Sequence, residues 1–193
     1  MARYGMLINT KKCVGCYACR IACQMKNHLE PDEAFISYRE LEQGTYPNVY
    51  AEVVPVQCMH CEDAPCEAVC PTHATYTTES GVVLVNEEKC IGCKYCMMAC
   101  PYGVRDWNKA SQTVEKCTLC GHLTANGELP ACVKSCSAGA RFYGDLDDPN
   151  SDVSQELAKY DEADIHELPN VGNNPCTKYI MTSMHGEWME GVE

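Results

Sequence analysis

Cys90-Ile91-Gly92-Cys93-Lys94-Tyr95-Cys96-Met97-Met98-Ala99-Cys100-Pro101 is the stretch from which the rest of the chain is read. Three thiolates at intervals of three residues curl around one iron–sulfur cubane. The fourth Cys rides away on a helical turn and belongs to a second cluster. Pro101 stops that turn from continuing as helix. The run therefore demands a partner group, and the chain supplies three: Cys13, Cys16, Cys19 and Cys23; Cys58, Cys61, Cys66 and Cys70 with Pro71; and Cys117, Cys120, Cys132 and Cys136. Zinc would ask for two separated Cys-x2-4-Cys knuckles rather than three Cys in seven residues. Disulfides belong to small secreted domains and rarely keep this register.

Seventeen cysteines among 193 residues approach the ~8–10% that marks a cysteine-rich chain. Aromatics make up only 8%, so the apolar core is modest and metal–sulfur bonds carry part of the folding free energy. The net charge of −12 argues against a nucleic-acid partner. Residues 145–193 hold twelve acidic and two basic side chains, so the excess is a property of the tail. The bases gather near cysteines, Arg105, Lys116 and Arg141 among them, and as a group they suit anionic clusters. No apolar run reaches the ~18 residues of a membrane span. The amino terminus reads as a strand without a secretory signal, so the chain is expected in the cytoplasm, or exported folded beside a partner bearing a twin-Arg signal.

In chain order, residues 4–9 read as a strand leading to the first group, in whose loop Gly15 matches Gly92. Residues 24–57 form a cysteine-free insertion with β-like runs at 34–41 and 49–56. His60, inside the second group, is expected to pack or donate a hydrogen bond, because all four Cys of that group are present. Residues 74–78 and 82–85 form a hairpin, as do 102–107 and 113–116. Residues 140–146 close with a strand. In the tail, Asn150 or Ser151 caps a helix over 152–160, and 177–182 form a last strand. Cys176 lies outside every group and reads as a free structural thiol.

With four groups in this order the chain resembles the iron–sulfur electron-transfer subunits of molybdopterin oxidoreductases, of the polysulfide/thiosulfate and dimethyl sulfoxide reductase type. The resemblance rests on Cys13-Val-Gly-Cys-Tyr-Ala-Cys, Gln57-Cys-Met-His-Cys-Glu-Asp-Ala-Pro-Cys, Cys100-Pro-Tyr-Gly-Val-Arg and Lys116-Cys-Thr-Leu-Cys. It implies an α+β fold of two intertwined, pseudo-symmetric ferredoxin-like modules over residues 1–146, holding four [4Fe–4S] clusters. Residues 147–193 follow as an acidic extension. It also implies the pairing of groups: Cys13, Cys16 and Cys19 with Cys136; Cys117, Cys120 and Cys132 with Cys23; Cys58, Cys61 and Cys66 with Cys100; Cys90, Cys93 and Cys96 with Cys70. The subunit so implied catalyses nothing alone. It relays electrons to or from a large catalytic subunit carrying molybdenum or tungsten, and exchanges them with a quinol-oxidising membrane subunit or a soluble donor. The chain departs from the pattern where Gln24 and Ser137 stand in place of Pro, so helix exit should differ there.

A free-standing polyferredoxin would use the same cysteine grammar, but it has no need of the insertion or the tail. A self-contained enzyme is disfavoured, because no phosphate loop, dinucleotide fingerprint or zinc-protease motif is present. A zinc-based nucleic-acid module is opposed by charge and by cysteine density. Leu157, Tyr160, Ile165, Leu168, Tyr179, Ile180 and Trp188 give the tail too many apolar side chains for a solvating terminus, so an ordered strap over the core, touching the large subunit, is expected.

Overall fold

The computed structural model describes residues 2–182; Trp188 lies outside them. β1 (Tyr4–Asn9) sits in the middle of a four-stranded sheet ordered β8-β1-β10-β9. It runs antiparallel to β8 (Arg141–Asp145) with Leu7 opposite Phe142, and parallel to β10 (Thr177–Ile180) with Met6 opposite Thr177. β9 (Ile165–His166) pairs antiparallel with β10. Alternation along β1 divides the core. Met6 and Ile8 face the large cluster that holds most of the buried cysteines. Leu7 faces the other way, onto Val153, Ile180, Leu157 and Tyr160.

The second face is covered by α6 (Asp152–Leu157), where Ser151 caps the helix by accepting from the Ser154 N–H. The helix ends three residues earlier than its sequence suggests. Tyr160 leaves the helical path and its hydroxyl accepts from Asn9 Nδ2 at 2.7 Å. The tail is thus woven into the sheet that the amino terminus begins.

α1 (Ala18–Asn27) runs a full turn past Cys23, because Gln24 keeps the N–H that a proline would lack. At Ser137 the missing proline changes nothing, since α5 (Ala131–Lys134) has already ended. The insertion is a long hairpin, β2 (Ser37–Thr45) and β3 (Asn48–Val56), in full register. Its first strand begins three residues later than the β-like run, because Phe35 and Ile36 turn into the core. It also extends further, past Gly44, whose φ of +97° suits the approaching turn. β4 (Thr75–Thr77) pairs with β5 (Val83–Val85), and β6 (Asp106–Asn108) with β7 (Thr113–Glu115). β6 is shorter than the 102–107 run because Gly103, at φ +62°, breaks extension while Tyr102 and Val104 stay buried. α2 (Pro65–Ala68), α3 (Tyr95–Met98) and α4 (Gly121–Thr124) are single turns inside the cysteine groups. Among the described residues, no helix is long and apolar enough to cross a membrane.

Candidate iron–sulfur sites

Each cysteine loop must bring three thiols to one side, and the backbone does this with left-handed residues. Asn9 and Asn86 each cap a short 3-10 turn just before a group, accepting from the N–H of Lys12 and Lys89. Gly15 and Gly92 then take φ +63° and +68°, followed by Tyr17 at +60° and Lys94 at +64°. Left-handed φ is uncommon for a non-glycine residue. Here the ring of Tyr17 lies 4.2 Å from that of Tyr38, and Lys94 Nζ stands 4.0 Å above Trp107. The other two groups repeat the device at His60 (φ +45°) and Leu119 (φ +53°).

Four voids of about 300 to 390 Å³, counting their solvent-open part, result. Each is lined by four cysteines. Quartet A is Cys13, Cys16, Cys19 and Cys136. Quartet B is Cys23, Cys117, Cys120 and Cys132. Quartet C is Cys58, Cys61, Cys66 and Cys100. Quartet D is Cys70, Cys90, Cys93 and Cys96. Every group gives three thiols to one void and its fourth to another. All seventeen cysteines are free, and Cys176 lines none of the four voids.

These rings are too wide for one ion. Thiolates at the ~2.3 Å of a zinc site crowd within about 4 Å of each other. Among the described residues, no group of three His, Cys, Asp or Glu could hold a single metal ion. A larger anionic group fits what surrounds the voids. Arg105 lines quartet C and Arg141 quartet A; both are buried, and Nη2 of each has no hydrogen-bond partner. His60 accepts from the Val83 N–H at Nδ1, so its proton sits on Nε2, where the Cys58 thiol feels it.

Several donors aim at sulfur. Asn173 Nδ2 donates to Cys61 Sγ at 3.0 Å, Asn27 Nδ2 to Cys23 Sγ at 3.4 Å, and the Ala140 N–H to Cys136 Sγ at 3.3 Å. Tyr38 Oη and Cys19 Sγ hydrogen-bond at 3.0 Å. Hydrogen bonds to ligand sulfur tune cluster potentials. Neither Asn173 nor Tyr38 stands out in the sequence. Only Asn27 carries a signal, being one helical turn after Cys23 once that helix is seen to continue.

Burial pushes the Cys23 and Cys61 thiols up to about 12, so loading these sites must release protons. Burial would raise Cys58 as well, but His60 and Lys116 hold it well below the ordinary thiol value. Cys176 is lifted by burial to about 11 and stays an inert thiol.

Comparison with known proteins points to 4Fe–4S chemistry for this chain. Two 4Fe-4S dicluster domain families match the chain, one over residues 49–146 and the other over 12–74. One subunit of the tetrathionate reductase of Salmonella typhimurium is 39% identical, over 92% of this chain and 72% of its own length. The arsenate respiratory reductase iron-sulfur subunit of Shewanella sp. is 34% identical, over 92% and 96%. One subunit of the sulfite dehydrogenase of Allochromatium vinosum is 37% identical, over 96% and 87%. The chain belongs to this family of iron–sulfur oxidoreductase subunits built from 4Fe–4S dicluster domains.

Proposed function

We propose that each quartet holds one [4Fe–4S] cluster, four in all, and that the chain relays electrons to or from the molybdenum or tungsten pterin site of a separate catalytic subunit. The observation that carries this is the grouping of sixteen cysteines into four rings, each completed by a thiol from another group. Bound there, the clusters supply one-electron transfer between neighbouring sites. The reciprocal sharing of fourth thiols suits two intertwined modules, one formed by the first and last groups and one by the inner two. Tetrathionate, arsenate and sulfite differ while the subunit type persists, which supports a substrate site on another chain.

A relay also needs two ends. Quartets A and D each include an exposed thiol, Cys16 and Cys93. Exposed apolar side chains line both voids: Val14 and Tyr17 at quartet A, Ile91 at quartet D. Two such patches suit separate uptake and release partners, whereas a diffusing carrier needs one. The acidic tail adds surface for the catalytic subunit, where its charges would set register and encounter rate.

The test is co-expression with a catalytic subunit, followed by iron, sulfide and electron paramagnetic resonance analysis. Four iron and four sulfide per quartet, and co-elution as a complex in which reductant-derived electrons reach the pterin, are expected. Zinc in the rings, or a chain that elutes alone and reduces no partner, would overturn the proposal.

A further inference from the structure

Three cations lie deep in the protein without a carboxylate. Lys116, Arg141 and Arg105 are 3%, 4% and 6% exposed. The ion pairs among the described residues all involve other bases. A buried charge without a counter-charge is costly. Something anionic must therefore offset them, and their hydrogen bonds show where.

Arg141 lines the void of quartet A, and its Nη1 donates at 2.6 Å to Oε1 of Gln57, which lines quartet B. Lys116 Nζ donates to the carbonyl of Cys117, in quartet B, at 2.8 Å, and to that of Val83, which lines quartet C. Arg105 lines quartet C, and its Nη1 donates at 3.3 Å to Oγ1 of Thr75, which lines quartet D. Each cation thus touches the walls of two voids, and the three together order the voids A, B, C, D.

We infer that Arg141, Lys116 and Arg105 are junction cations, one between each successive pair of quartets, positioned so that each sets the reduction potential of the two clusters flanking it. This rests on the reading that every quartet holds a cluster. When an electron passes a junction, one flanking group gains a negative charge and the other loses one; no bond changes and no proton moves. A fixed cation between them favours the added charge on either side. It therefore raises both potentials together and leaves the step between them unchanged. Arginine suits this role because it stays protonated throughout.

The test is a redox titration, followed by electron paramagnetic resonance, of the cluster-loaded full chain and its variants Arg141→Met, Lys116→Met and Arg105→Met. Each substitution should move two of four potentials negative, by about tenfold in the reduced-to-oxidised ratio at fixed potential, or 59 mV for one electron. The pattern is the signature. Arg141→Met and Lys116→Met should share one affected cluster, Lys116→Met and Arg105→Met another, and Arg141→Met and Arg105→Met none. Arg105→Lys and Lys116→Arg, which keep the charge, should leave all four potentials in place. Unchanged potentials in the neutral variants, a uniform shift of all four, or equal shifts in the charge-keeping variants would overturn the inference. In a variant that loads incompletely, loss confined to the two flanking clusters supports it. Loss of all four marks the cation as a general support of the fold and overturns it. A wild-type chain that binds fewer than four clusters fails the underlying reading instead, and is recognised from iron content before any titration.

Discussion

Single residues decide whether a cysteine loop can close. Gly92 and Gly103 share a left-handed φ of +68° and +62°, so alanine at either costs about 1–2 kcal/mol in backbone strain. Only at Gly92 would the new Cβ also meet a ring, 2.9 Å from Trp107. Gly92→Ala should therefore lower the melting temperature more than Gly103→Ala and deplete iron at quartet D, as thermal unfolding and iron analysis will show. The side chain of Asn173 is a sharper probe, because it joins Cys61 Sγ at 3.0 Å to the Tyr102 hydroxyl at 2.7 Å. Asn173→Ala should shift one cluster potential negative and leave its neighbours in place. The cysteine groups could be read from spacing and their pairing only from the family resemblance, whereas this donor could be read from neither. Asn173 lies 112 residues from its sulfur, and only the tertiary path of the tail brings the two together.

At the scale of elements, β10 has the larger consequence. It supplies a parallel neighbour to β1, and Leu7 and Ile180 share the face closed by Val153. A chain ended at Asp145 would leave that face of β1 bare, so it should be recovered aggregated and without iron. Leu7→Ala, which removes only the side chain, should cost about 2–5 kcal/mol in chemical denaturation. Strand periodicity revealed β1, the two short hairpins and the final strand, while pairing order was hidden. Nothing local in Thr177–Ile180 says that it will lie between β1 and β9. The long α1 was half legible, since Gln24 in place of proline announced a different helix exit but not how far the helix would run.

For the molecule as a whole, cysteine is a large share of the main core. Buried cysteines from all four groups sit among Met6, Ile8, Val54, Val56 and Tyr179. Iron chelation under reducing conditions should therefore abolish the cooperative unfolding transition and much of the far-ultraviolet circular dichroism. Acid should act on the tail's attachment. Burial would raise the Glu156 carboxyl, but hydrogen bonds from Lys12 and Lys159 outweigh it and hold the group below the usual range. Stability from this pair is present above the unfolded carboxylate value of about 4.3 and is lost as pH falls through the lowered folded value. Melting temperature against pH should show a step there that Glu156→Gln removes.

The crossed supply of thiols also gives the four rings a schedule. Quartets C and D draw every thiol from residues 58–100, so a nascent polypeptide can complete both soon after Cys100 leaves the ribosome. Quartets A and B borrow from opposite ends: Cys13, Cys16, Cys19 and Cys23 emerge early and have no complete ring until Cys132 and Cys136 follow. At about 5–20 residues per second, that is a wait of roughly 5–20 s. During translation the first four thiols are thus the ones left longest to oxidants and stray metal ions, and oxidative damage to stalled chains should concentrate on them.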